Sequence, residues 1–287
     1  MTRLSQRFIV AGLALALSLC LRACHSIAPA TSLPPGAPEG PVEPGAPPGS
    51  PAAKAPPIQA PAATPSVELI PPIAAQPPRY AEVDWPHVKI DLNNKIIEIE
   101  GFSGGNQGWL EQIICLAGTR THESILITEA KPSHIHAALL LIGLEPGHPG
   151  WWKIDPDDPA GTMWIVEPPT GSPVIITIAW TDKQDQKHEA PVRQWVRDFH
   201  THDLLPEGPW IFAGSLMKAD YTGEVGYVAD RSGSIAGLVT FGDELLGWSE
   251  ILPDQEAVLA PEWEANTEVM PEPFTPVTIR LYPAAHP

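Results

Sequence analysis

CLAGTRTHESILITEAKPSHIHAALLLIGLEPG, residues 115–147, sets a cysteine, three histidines and Glu123 around what reads as a hairpin followed by one short helix. Leu110 to Leu116 and Ser124 to Thr128 have the apolar content of strands, and Gly118 between them favours a tight reversal. With Gly118 and Thr119 at the turn centre, Cys115 faces His122 across an antiparallel ladder, with opposed Cβ atoms about 5 Å apart. Lys131-Pro132-Ser133 then opens a helix, since proline is accommodated in a first turn. Ile135, Ala138, Leu139 and Ile142 share one stripe of that helix, and Gly143 is its natural stop.

Outward from this stretch the chain reads as short strands. Val88 to Leu92 and Ile96 to Glu100 flank Asn93-Asn94, a hairpin signal. Further strands are expected at Val174 to Trp180, Trp210 to Ala213, Gly226 to Ala229, Gly237 to Phe241 and Val277 to Tyr282, with a short helix at Arg193 to Phe199. No second linker and no internal repeat interrupts this part. The expectation is an α+β fold, a β-rich single domain over residues 81–287 with one clear helix.

The N-terminal quarter has a different composition. Arg3 and Arg7 precede an apolar run from Phe8 to Leu21, too short to span a bilayer, which takes about 20 residues. A charged head and a run of this length predict a signal peptide over residues 1–28 and an exported, periplasmic or cell-envelope protein. Leu21-Arg22-Ala23-Cys24 has most of a lipobox, which puts a lipid anchor on Cys24; cleavage near Ala28 or Ala30 competes with it. Residues 29–80 are rich in Pro and Ala and hold no periodic apolar pattern, so a disordered linker is expected there.

From residue 80 onward, 31 Asp and Glu face 12 Lys and Arg, which argues against nucleic acid as a partner. Cys115 is the sole cysteine of that part, so no disulfide framework is expected and the core stands on packing.

Gly118-Thr-Arg-Thr-His-Glu-Ser124, Ile135-His-Ala-Ala-Leu-Leu140, Glu145-Pro-Gly147, Trp210-Ile-Phe-Ala-Gly-Ser215 and Trp263-Glu-Ala-Asn266 occur in that order. Together they resemble the YdjY-domain family of exported bacterial proteins, frequent in planctomycetes, over roughly Val83 to Tyr282. The resemblance implies that Cys115, His122, Glu123 and His136 belong to the family pattern, and it implies no activity.

Three chemistries compete for these residues. A metal site draws on His122 and Glu123, with His136 from the helix and His202 from a second cluster, His200-Thr-His202-Asp203. His134 and His136 point about 200° apart on a helix, so they cannot both face one ion there. A thiol enzyme uses Cys115 as nucleophile and His122 as base. A binding module uses exposed aromatics, above all Trp151 and Trp152, because adjacent tryptophans on an extended chain cannot both be buried on one face. The leading expectation is a tethered binding domain whose partner is an envelope protein or a glycan. The alternative is a metal-dependent or Cys/His-based enzyme. No cofactor is expected, with a divalent metal left open.

Overall fold

The structure, a computed structural model, describes residues 76–105, 108–159, 163–254 and 262–284. The expected signal peptide, the lipid-anchor cysteine Cys24 and most of the expected linker lie outside the described residues. The last residues of the expected linker, 76–80, already run beside the first strand: the Leu92 N–H donates to the Arg79 carbonyl and the Gln76 N–H to Asn94 Oδ1.

In chain order, the elements begin with β1 (Val88–Asp91), β2 (Ile96–Ser103), β3 (Gln112–Leu116), β4 (Ser124–Thr128) and helix α1 (Pro132–Leu141). There follow β5 (Trp151–Ile154), β6 (Trp164–Glu167), β7 (Pro173–Thr181), β8 (Lys187–Pro191), β9 (Val196–Asp198) and β10 (Trp210–Phe212). The last are β11 (Met217–Ala219), β12 (Val225–Tyr227), helix α2 (Val228–Ser232), β13 (Ser234–Gly237), β14 (Leu246–Trp248), β15 (Trp263–Ala265) and β16 (Pro276–Pro283).

Eight of these strands close on themselves in the order β2-β16-β7-β10-β14-β13-β3-β4, with β4 returning to β2. Eight strands give a barrel just wide enough for side chains to fill. The domain is therefore β-rich, built on an eight-stranded barrel, with α1 and the short α2 attached.

The spine is β2-β16-β7, the three longest strands, and alternation explains it. Val88, Ile99, Ile279, Ile178 and Ala190 stand opposite one another on five neighbouring strands, and all are buried. Ile90, Ile97, Leu281 and Ile176 form the next buried row. Both flanking strands change partner along their length. β2 pairs with β1 through Ile96–Ile99 and with β4 through Gly101–Ser103. The switch uses glycine because a Cβ on Gly101 would lie 2.7 Å from the Ile127 carbonyl oxygen. Likewise β7 pairs with β10 at Pro173 and Val174 and with β8 from Thr177 to Thr181.

The structure corrects five sequence expectations. β3 and β4 are parallel, with Cys115 opposite Ile127, so the Cys115–His122 ladder pairing does not exist. Residues 117–123 run back along the strand pair: the Ala117 N–H donates to the Thr128 carbonyl, and a 3₁₀ turn at Thr121–Glu123 delivers the chain to the start of β4. The opening hairpin turns through four residues, with Lys95 at φ 54°, because Asp91 pairs directly with Ile96. Arg193 to Phe199 is a 3₁₀ turn followed by β9, and Gly226 to Ala229 divides between β12 and α2. Finally, α1 is not the one helix, since α2 caps it: Asp230 accepts both the N–H and the hydroxyl of Ser133.

Replacing Ile279, central in its buried row, by alanine leaves a cavity that neighbours on two strands cannot fill. Such truncations cost about 2–5 kcal/mol. Ile279→Ala is expected to lower the urea midpoint accordingly with an unchanged m-value, read by far-UV circular dichroism.

Candidate functional site

The residues singled out from sequence are not gathered in one place. Cys115 is fully buried in β3, and burial pushes its thiol up, partly offset by hydrogen bonding with Ser124 and Thr119. His122 sits on the 3₁₀ turn with its side chain 80% exposed, 3.4 Å from Glu123. His136 lies on α1, where its Nδ1 is 2.9 Å from the Tyr227 hydroxyl, which donates to the Gly214 carbonyl. Its ring stands edge-on to Phe212 and Tyr227, and burial pushes its pKa down from the ordinary 6.5. His134 stacks on Trp85, and His202 is exposed in the loop after β9 at φ 62°. Among the described residues, no three His, Cys, Asp or Glu side chains are placed to share a metal ion.

Glu123 does join a cluster, with partners that sequence reading passed over. Burial and the neighbouring Glu123 carboxylate push Glu111 up to about 7, and a hydrogen bond between the two carboxyls acts in the same direction. Arg120 opposes this; its Nη1 lies 3.5 Å from Glu123, and its guanidinium carbon lies 3.7 Å from the centre of the Phe241 ring. Nearby, Glu244 is 1% exposed and accepts the N–H groups of Phe241 and Gly242. Burial outweighs those bonds and pushes its carboxyl up to about 7.

Phe241 also lines a hollow of about 380 Å³ that runs along β5, with Trp151, Trp152, Thr240 and Asp254 around it. β5 and β6 form a two-stranded ribbon outside the barrel sheet. The register puts Trp152, Ile154, Trp164 and Val166 on one side, all apolar, and Trp151, Lys153, Ile165 and Glu167 on the other. Trp151, Ile154, Ile165 and Val166 are all at least 38% exposed. Both indoles are held by their edges: Trp151 Nε1 donates to Glu167 Oε2 at 2.7 Å and Trp152 Nε1 to Asp254 Oδ1 at 3.1 Å. Of the tryptophan pair on β5, Trp151 is exposed and Trp152 is half-buried.

A larger open groove, about 960 Å³, crosses the outer face of the spine. Most of its charged groups are already paired. His87 lies 3.4 Å from both Glu100 and Glu129, Arg280 bonds Glu98 and Glu189, and His188 bonds Asp182 at 2.7 Å while stacking on Trp180.

A family model described as the YdjY domain matches residues 88–282, the whole span from β1 into β16. The chain belongs to the YdjY domain family. No curated protein and no solved structure matches it. The YdjY domain here contains every residue of the ribbon, the hollow beside it and the carboxyl cluster. The sequence signals for the overlooked members were faint: Glu111 interrupts an apolar run, and Phe241-Gly-Asp-Glu244 is a turn carrying an acid at a buried position.

Two outcomes follow from this geometry. Glu111 and Glu244 hold protons in the folded YdjY domain that an unfolded chain, with carboxyls at their ordinary 4.5, has released. Their contribution is therefore full below about pH 4.5 and is lost as pH rises through about 7. His136 acts oppositely, but below 6.5. Between pH 6.5 and 8 stability should fall, by about 1 kcal/mol for Glu244, and Glu244→Gln should flatten the slope in calorimetry. Separately, alkylation followed by peptide mass mapping should find Cys115 unmodified in the native protein and modified once urea unfolds it.

Proposed function

We propose that the protein is an exported, tethered binding domain of the cell envelope that recognises a glycan on the β5–β6 ribbon. The observation that carries this reading is the ribbon itself. It stands apart from the barrel sheet and exposes apolar side chains on both faces. Its two adjacent tryptophans are fixed through their indole N–H groups, which leaves ring faces, not ring edges, for a ligand. Aromatic faces fixed in this way suit the C–H faces of sugar rings, and rigid side chains lose little entropy when they bind. Carboxylates stand beside each ring, Glu167 at Trp151 and Asp254 at Trp152, as acceptors for sugar hydroxyls.

The N-terminal sequence supports the same reading. An export signal over residues 1–28 and a Pro/Ala-rich linker over 29–80 would hold such a domain away from the membrane, with Cys24 as the lipid attachment. An acidic chain, net −17, fits an envelope polymer better than a nucleic acid.

The test is affinity electrophoresis of the full chain through gels containing soluble polysaccharides, with Trp151→Ala, Trp152→Ala and the double variant alongside. Retardation by at least one polysaccharide, weakened about tenfold or more in the double variant at unchanged melting temperature, is the expected result. Retardation that is the same with and without the two tryptophans would remove the ribbon from recognition.

A further inference from the structure

We propose that the hollow beside β5 selects a protonated primary amine, so that the glycan recognised is one built on amino sugars with free amino groups. This rests on the ribbon reading and adds the chemical class of the ligand.

Three observations carry it. First, the hollow is lined by Trp151, Trp152, Phe241 and Asp254, the two tryptophan side chains lying on opposite sides of the ribbon. Aromatic faces attract cations within about 6 Å, and a carboxylate beside them adds a charge-assisted hydrogen bond. Asp254 Oδ1 accepts the Trp152 indole N–H, and the other carboxylate oxygen makes no hydrogen bond among the described residues. Second, two of these rings already attract cations of the chain itself. The Arg120 guanidinium carbon lies 3.7 Å from the Phe241 ring centre, and Lys153 Nζ lies 5.7 Å from that of Trp151. Third, carboxylates stand close by: Glu123 pairs with the Arg120 that covers Phe241, and Glu167 accepts the Trp151 indole N–H. At about 380 Å³ the space is near the small end for ligand sites, which suits one sugar unit more than a folded partner.

Lys153 is the internal competitor. It is exposed and lies loosely over Trp151, so a ligand ammonium has to push it aside or sit beside it. Removing it should strengthen binding of a cation and weaken binding of an anion. Neutralising Asp254 should act in the opposite sense, while Asp254→Asn keeps an oxygen for the indole N–H.

The experiment is a fluorescence titration of the full chain at low ionic strength with glucosamine hexamer, N-acetylglucosamine hexamer and hexalysine. The variants are Asp254→Asn, Lys153→Met and, as a control for general charge attraction, Glu224→Gln on the exposed β11–β12 hairpin. Expected is a preference of about tenfold for glucosamine hexamer over its acetylated form. Asp254→Asn should lose about tenfold, Lys153→Met should gain two- to threefold, and Glu224→Gln should change nothing. Equal binding of both hexamers, indifferent to Asp254→Asn, overturns the amine preference and leaves the ribbon reading in place. Equal losses in Asp254→Asn and Glu224→Gln overturn it as non-specific attraction. Tighter binding of hexalysine with the same Asp254 dependence keeps the amine chemistry but overturns the glycan reading. No saturable binding of either hexamer overturns the proposal outright.

Discussion

The main chain of Glu111 ties the barrel shut. Parallel strand pairs are ordinarily joined by a crossover of a dozen or more residues. This barrel has two parallel steps, β3–β4 and β13–β14, joined by only seven and eight residues. Both connections anchor on Glu111. Its N–H donates to the Glu123 carbonyl at the end of the first, and its carbonyl accepts the N–H groups of Leu238 and Val239 at the start of the second. Two loops pinned to one residue must approach each other, and they meet where Arg120 of the first covers Phe241 of the second.

The unusual electrostatics follow from that constraint. Crossovers this short leave no room to swing acidic side chains into water, so Glu111 and Glu123 share a half-buried space and Glu244 is buried inside the curl of its own loop. Desolvation disfavours the charged form, and Glu111 and Glu244 respond by holding protons near neutral pH. The barrel interior is filled by apolar rows and by the buried Gln112–Ser234 pair, which bond each other. On the proposed binding reading, recognition falls to what the closed barrel carries outside it, and the β5–β6 ribbon exposes apolar side chains there.

How much of this was legible in the sequence depended on how local the determining interaction is. Helix α1 was legible because proline, stripe and terminal glycine lie within a dozen residues, and Ile135, Ala138, Leu139 and Ile142 are buried as their spacing implies. The long spine strands were legible from alternation. The direction of β4 was not, because a seven-residue link containing Gly118 has the length and composition of a hairpin loop, and its anchoring through Glu111 and Thr128 is visible only in three dimensions. β5 was hidden by the glycines and prolines before it, although its two tryptophans were noticed. The hollow gathers residues about a hundred positions apart, Trp152 with Phe241 and Asp254, and no spacing rule reaches that far.

The two surface hollows differ in what a ligand would have to break, and that difference decides between them. Over the spine, a ligand competes with bonds already made, among them Arg280 with Glu98 and Glu189, Thr177 with Glu189 and Lys89 with Glu100. Displacing them costs what it gains, because exposed ion pairs and their replacements have similar strength in water. Beside β5 the indole N–H groups are occupied, one oxygen of Asp254 makes no hydrogen bond among the described residues, and the cations already near the rings are Arg120 over Phe241 and the exposed Lys153 over Trp151. Larger volume does not make the groove the better site. Binding is governed by the interactions a ligand adds net of those it removes, and on that measure the smaller hollow is where this domain has something to offer.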